Sequence, residues 1–219
     1  MANFKSRSEA QVLENYRVAL ENVETQAEIA ATLTEFGYDN TVIANGKQLY
    51  EMARQAFDAN KTEDQETNVA YDAFDRQFKK VYEHFVVLRK KLRIIFRNDP
   101  VILKNLGVSA SIPHPYAQKV ATIRTTLQTL NNDTASMQKM AALNVTPENI
   151  STSLSDLEQL DKLRATYLRE KGESQAATMA KDSALGDLGI WMRDFLDVAR
   201  IALEDNPQLL ESLNVLVRN

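Results

Sequence analysis

The chain has 219 residues, 44% of them hydrophobic and 26% charged, with a formal net charge of −4. Those proportions exclude wholesale disorder, and the length suffices for a real core in one large or two small domains. No cysteine is present, which excludes disulfides, thiolate ligands and a cysteine nucleophile and fits a reducing compartment; the slight negative charge argues against general attraction to nucleic acid.

The stretch Met1–Ala10 holds Lys5 and Arg7 but no apolar run of the secretory kind, and no segment reaches membrane-spanning length, so the expected location is the cytoplasm. Six glycines and five prolines, set among abundant Ala, Leu, Glu, Lys, Gln and Arg, favour helix throughout. The first helix is expected from about Ser8 to Glu35, with a stripe of Leu13, Tyr16, Leu20, Val23, Ala27 and Ala30. Gly37 closes it, and Asp39 or Asn40 caps a second helix carrying Ile43, Tyr50, Ala53 and Phe57. Lys61 to Glu66 reads as a polar turn. The third helix, from about Thr67 to Arg97, bears an unbroken heptad seam of Phe74, Phe78, Val81, Phe85, Leu88, Leu92 and Ile95. Asp99-Pro100 starts a short helix ended by Gly107, and the Pro113-His114-Pro115 region is a connector.

The rest replays this plan. Pro100 recurs as Pro207, Arg17 as Arg124, Leu20 as Leu127 and Arg93 as Arg200, all at one offset of 107 without a gap. Val120, Ile123, Leu127, Leu130 and Met137 stripe a fifth helix; Thr146-Pro147 starts a sixth, and Gly172 is expected to break it from a seventh. The seventh seam is Leu185, Leu188, Met192, Phe195, Ala199 and Ala202, and beside the alanines either the seam packs closer or neighbours such as Val198 and Leu203 fill the space. The reading is an all-α protein of two tandem up-down-up antiparallel bundles, each of three long helices and one short helix, side by side or merged. The repeats occupy 1–108 and 116–219, joined by 109–115. Phe36-Gly37-Tyr38-Asp39, Arg169 to Gln175 and Val198 to Pro207 resemble stretches of an uncharacterised all-helical family recurring in Bacteroidetes. The resemblance implies no active site.

Chemistry is sparse. His84 and His114 are the only histidines, and neither stands in the Glu-x-x-His pattern of a di-iron bundle; His84 reads as a boundary residue packing its ring. There is no nucleophile elbow or glycine-rich phosphate loop. Asp72 with Asp75, and Asp194 with Asp197, read as solvated acidic faces. No cofactor or metal is expected. Polar residues kept in both halves, such as Arg17 and Arg124, are expected to share one structural job.

Charge asymmetry is the one functional signal. Residues 76–104 hold nine Lys or Arg against Glu83 and Asp99, whereas 183–211 hold Arg193 and Arg200 against six acids. The expectation is a non-enzymatic scaffold or interaction protein, with an unknown partner or self-association. The alternative is polyanion or nucleic-acid binding through Arg89, Lys90, Arg93 and Arg97, since clustered cations gain affinity by releasing counterions. An enzyme or metal protein without a recognisable motif is the remaining alternative.

Overall fold

The computed structural model describes residues 8–215; positions 1–7, part of the leader reading, and 216–219 lie outside it. Every regular element among the described residues is helical: α1 (Glu9–Thr25), α2 (Ala27–Glu35), α3 (Asn40–Ile95), α4 (Pro100–Asn105), α5 (Tyr116–Asn132), α6 (Thr134–Met140) with a 3-10 turn (Ala141–Leu143), α7 (Pro147–Ala202) and α8 (Pro207–Ser212). The fold is all-α. The starts of α5, α6, α7 and α8 each fall 107 residues after those of α1 to α4.

Two expected boundaries do not exist. The Lys61–Glu66 run is helical, so the expected second and third helices form one 56-residue α3, and α7 is also 56 residues long, running straight through Gly172. Polarity was mistaken for a turn. The run lacks Gly and Pro, and its residues cost at most about 0.7 kcal/mol each in a helix. The polar side chains nearby serve α3–α7 hydrogen bonds: Asn60 Nδ2 donates to Thr178 Oγ1 at 3.0 Å, Ser174 Oγ to Asp64 Oδ1 at 2.7 Å, and Thr67 Oγ1 to the Glu170 carbonyl at 3.0 Å. The opposite error occurs in the first helix, which breaks at Gln26 (φ −105°, ψ 98°), as its counterpart does at Asp133 (φ −106°, ψ 91°). The break shifts the buried stripe from Ala27 and Ala30 to Ile29 and Leu33.

Capping follows the local sequence. Asp39 accepts from the amides of Thr41 and Val42, Asp99 from Ile102, Asp133 from Ser136 and Thr146 from Asn149. Gly37 (φ +86°) and Gly107 (φ +69°) hold left-handed positions after their helices, where Asn144 and Asn214 stand in the second half.

The chain forms two compact units, and these are not the sequence halves 1–108 and 116–219. Unit 1 takes the residues up to Asp64 and those from Glu173 onward; unit 2 is Gln65–Gly172. Because α3 and α7 each continue unbroken, each contributes one part to either unit. The unit 2 core gathers Val81, Phe85, Leu88 and Leu92 of the expected seam with Ile123, Leu127 and Leu130 of α5 and Leu157 and Leu160 of α7. The unit 1 core joins Leu13, Leu20 and Val23 to Ile29, Leu33, Ile43 and Ala53, and to Leu188, Met192, Phe195 and Ala199. Leu203 is buried there as well.

Candidate functional site

The four cations singled out by the sequence divide into two pairs. Arg93 donates from Nε to the Val108 carbonyl at 2.8 Å and from Nη2 to Ser109 at 2.6 Å, and Arg89 donates to the Ala110 carbonyl. Both guanidinium groups therefore fasten the segment after α4 to the end of α3, where cations also complement the helix dipole. Burial, and then the adjacent Arg93 charge, lowers the pKa of Arg89 from its ordinary value. Lys90 and Arg97 are exposed. Elsewhere in the basic stretch, Lys79 pairs with Asp75 and Lys80 with Asp156, each at 2.6 Å.

Between and around these cations the outer face of α3 shows large apolar side chains: Val87 is 52% and Ile94 57% exposed. With Lys90 they make a helical stripe of three- and four-residue steps, extended by Arg97 just past the helix end. The corresponding face of α7 carries Asp194, Asp197 and the exposed Ile201, with Glu204 beyond. There Arg193 and Arg200 form exposed local pairs with the two aspartates.

Retained polar residues do not share one job. Arg17 bonds Glu14 at 2.7 Å and Glu21 at 2.5 Å on its own helix, whereas Arg124 reaches Asp161 on α7 at 2.5 Å. The cause lies 107 residues before Asp161, where Arg54 stands and offers no acceptor. At two other pairs of matching positions a contact is kept while its chemistry changes. The Tyr71–Tyr167 ring contact in unit 2, with centroids 5.4 Å apart, stands where unit 1 has the Asn60–Thr178 hydrogen bond. The Phe74–Tyr116 contact at 5.6 Å likewise stands where unit 1 pairs Lys181 with Glu9 at 2.8 Å.

One such position differs in filling. In unit 1, Trp191 stacks on Phe195 with centroids 5.3 Å apart, and Tyr38 approaches both rings, at 6.0 and 5.5 Å. The indole lies against the backbone of Gly46, where an added Cβ would sit 2.2 Å from Trp191 Cη2. Burial raises the pKa of the Tyr38 phenol, and the Asp194 charge adds to it. The matching residues of unit 2 are His84, Leu88, Val145 and Ser153, and all four line a groove of about 390 Å³. Leu88, Val145 and Ile150 are its apolar floor, with Lys91, Asn144, Asn149 and Thr152 among its polar walls. His84, Leu88 and Ser153 also line a small recess of about 10 Å³ that Asp156 shares. Asp156 Oδ1 is held by Lys80, whereas its Oδ2 is buried without a hydrogen-bond partner. His84 is thus an exposed groove residue rather than a ring packed at the core boundary, and His114 is exposed in the connector. The signal for the groove was present in the sequence as four substitutions across the 107-residue offset, which read singly as drift.

No protein-family model, curated protein or solved structure matches the chain. No helix among the described residues is long and apolar enough to cross a membrane.

Proposed function

We propose that the protein is a helical scaffold that assembles with further copies of itself, joining the cationic-apolar face of α3 in one copy to the acidic-apolar face of α7 in the next. The observation that carries this reading is the pair of exposed stripes, Val87, Lys90, Ile94 and Arg97 on one element and Asp194, Asp197, Ile201 and Glu204 on the other. Opposite charges set the register of such a contact, and each exposed ion pair contributes about 0.2–1 kcal/mol, so the association is modest and weakened by salt. Unlike faces meeting head to tail generate rings or open chains. The proposal includes origin by duplication of a 107-residue unit, membership of the Bacteroidetes helical family on the three quoted stretches, and action in the cytoplasm.

Analytical ultracentrifugation tests it. The wild type is expected to associate at low salt and dissociate as salt rises. Lys90→Glu/Arg97→Glu and Asp194→Lys/Asp197→Lys variants should each stay monomeric alone, and a mixture should associate, because the intact acidic α7 face of the first meets the intact cationic α3 face of the second and the two reversed faces are again opposite in charge. A wild type that stays monomeric at high concentration and low salt contradicts the proposal. The polyanion reading rests on Lys90 and Arg97, since Arg89 and Arg93 are committed to backbone carbonyls. Salt-sensitive heparin binding lost in the Lys90→Glu/Arg97→Glu variant would favour it.

A further inference from the structure

We infer that unit 2 binds a small aromatic carboxylic acid bearing a ring N–H or O–H donor, in the groove between the C-terminal part of α3 and the start of α7, which shares only Val87 with the α3 association stripe. In unit 1 the same place is filled by aromatic rings. There a Trp191 indole lies against Gly46 and between Tyr38 and Phe195, so that position in the helix pair accommodates a flat bicyclic ring. In unit 2 the three rings become His84, Val145 and Leu88, which are smaller, and the groove opens where they recede. Its volume of about 390 Å³ lies within the range of small-molecule sites.

The polar groups specify the occupant. At one end the recess beside His84 and Ser153 holds Asp156, whose Oδ2 is buried and unpartnered; unit 1 has the apolar Leu49 at that position. Oδ2 is closed to solvent, and a buried acceptor of this kind costs stability until a donor reaches it, so the ligand presents an N–H or O–H there by displacing the exposed His84 side chain that lines the same recess. The recess of about 10 Å³ admits only a single small group. At the other end stands Lys91, seven residues beyond His84 and about 10 Å along the helix. Lys91 replaces the apolar Val198 and supplies a cation for a carboxylate. Leu88, Val145 and Ile150 lie between as the surface for the ring. Donor, flat apolar body and anion thus follow in order along the groove.

The test uses the full chain and indole-3-acetate as probe, followed by isothermal titration calorimetry. One molecule per chain is expected to bind, saturating below about 1 mM. 1-Methylindole-3-acetate, which lacks the ring donor, and indole, which lacks the acid, should each bind at least about tenfold more weakly. His84→Trp/Ser153→Gly, which installs the unit 1 filling, should abolish binding and raise the melting temperature. Should that variant fail to fold, Lys91→Glu at the rim carries the test, with an expected loss of about tenfold or more. Lys90→Glu/Arg97→Glu should leave probe binding unchanged, because neither side chain lines the groove, so loss of association and loss of probe binding are distinguishable. Absence of saturable binding by the wild type to several millimolar, equal binding of all three probes, or undiminished binding by the filled or Lys91→Glu variant would each overturn the inference.

Discussion

Gly46 shows how one missing side chain sets the packing of a whole unit. It sits inside a helix, where glycine costs about 1 kcal/mol relative to alanine, yet it is buried against the Trp191 indole. Adding a methyl group there would bring Cβ within 2.2 Å of Cη2, and moving the ring aside would disturb its contacts with Phe195 and Tyr38. Gly46→Ala should therefore destabilise the protein by about 1–3 kcal/mol, despite its better helix propensity. Urea unfolding followed by Trp191 fluorescence, the chain having a single tryptophan, measures this directly. An unchanged or raised midpoint would show that the indole does not press on the helix. Ser153 at the matching place tolerates its side chain because His84 stands where the indole would be.

At the scale of elements, the apolar periodicities were legible and the breaks between them were not. The seam from Phe74 to Ile95 lies in the unit 2 core as read, because a 3-4 repeat of large apolar residues has few ways to be satisfied other than burial on one helix face; the stripe from Val120 to Met137 also lies there, but is shared between α5 and α6 across the break at Asp133. The caps at Asp39, Asp99 and Thr146 were equally legible, since their side-chain acceptors act within three residues. Lys61–Glu66 misled because a polar run in a helix and a polar turn have the same composition; only the partners across the helix pair distinguish them. Gly172 misled for a related reason. A single glycine is a cap only where the backbone turns left-handed, and here it does not: nothing within 4 Å contests an added Cβ. Gly172→Ala should consequently stabilise the protein by about 0.5–1 kcal/mol, the reverse of its effect at a helix end. A lowered denaturation midpoint would restore the expected break. The groove escaped the sequence because its residues come from two distant stretches, 84–91 and 144–153, and none belongs to a known motif.

In the molecule as a whole, α3 and α7 each run unbroken from one compact unit into the other. A helix that runs on past residue 64 carries its seam residues into a different core from its first turns, so a sequence half cannot complete either core alone. Residues 1–108 lack Leu188, Met192, Phe195 and Ala199, which close the unit 1 core, and lack the α5 and α7 residues that close unit 2. Residues 65–172, by contrast, hold the unit 2 core in one uninterrupted stretch, together with the complete groove. Thermal unfolding of these two fragments by circular dichroism is the most direct measurement. The 65–172 fragment should be helical and melt cooperatively, and the 1–108 fragment should show no cooperative transition. A cooperatively folding 1–108 fragment beside an unfolded 65–172 fragment would contradict the account.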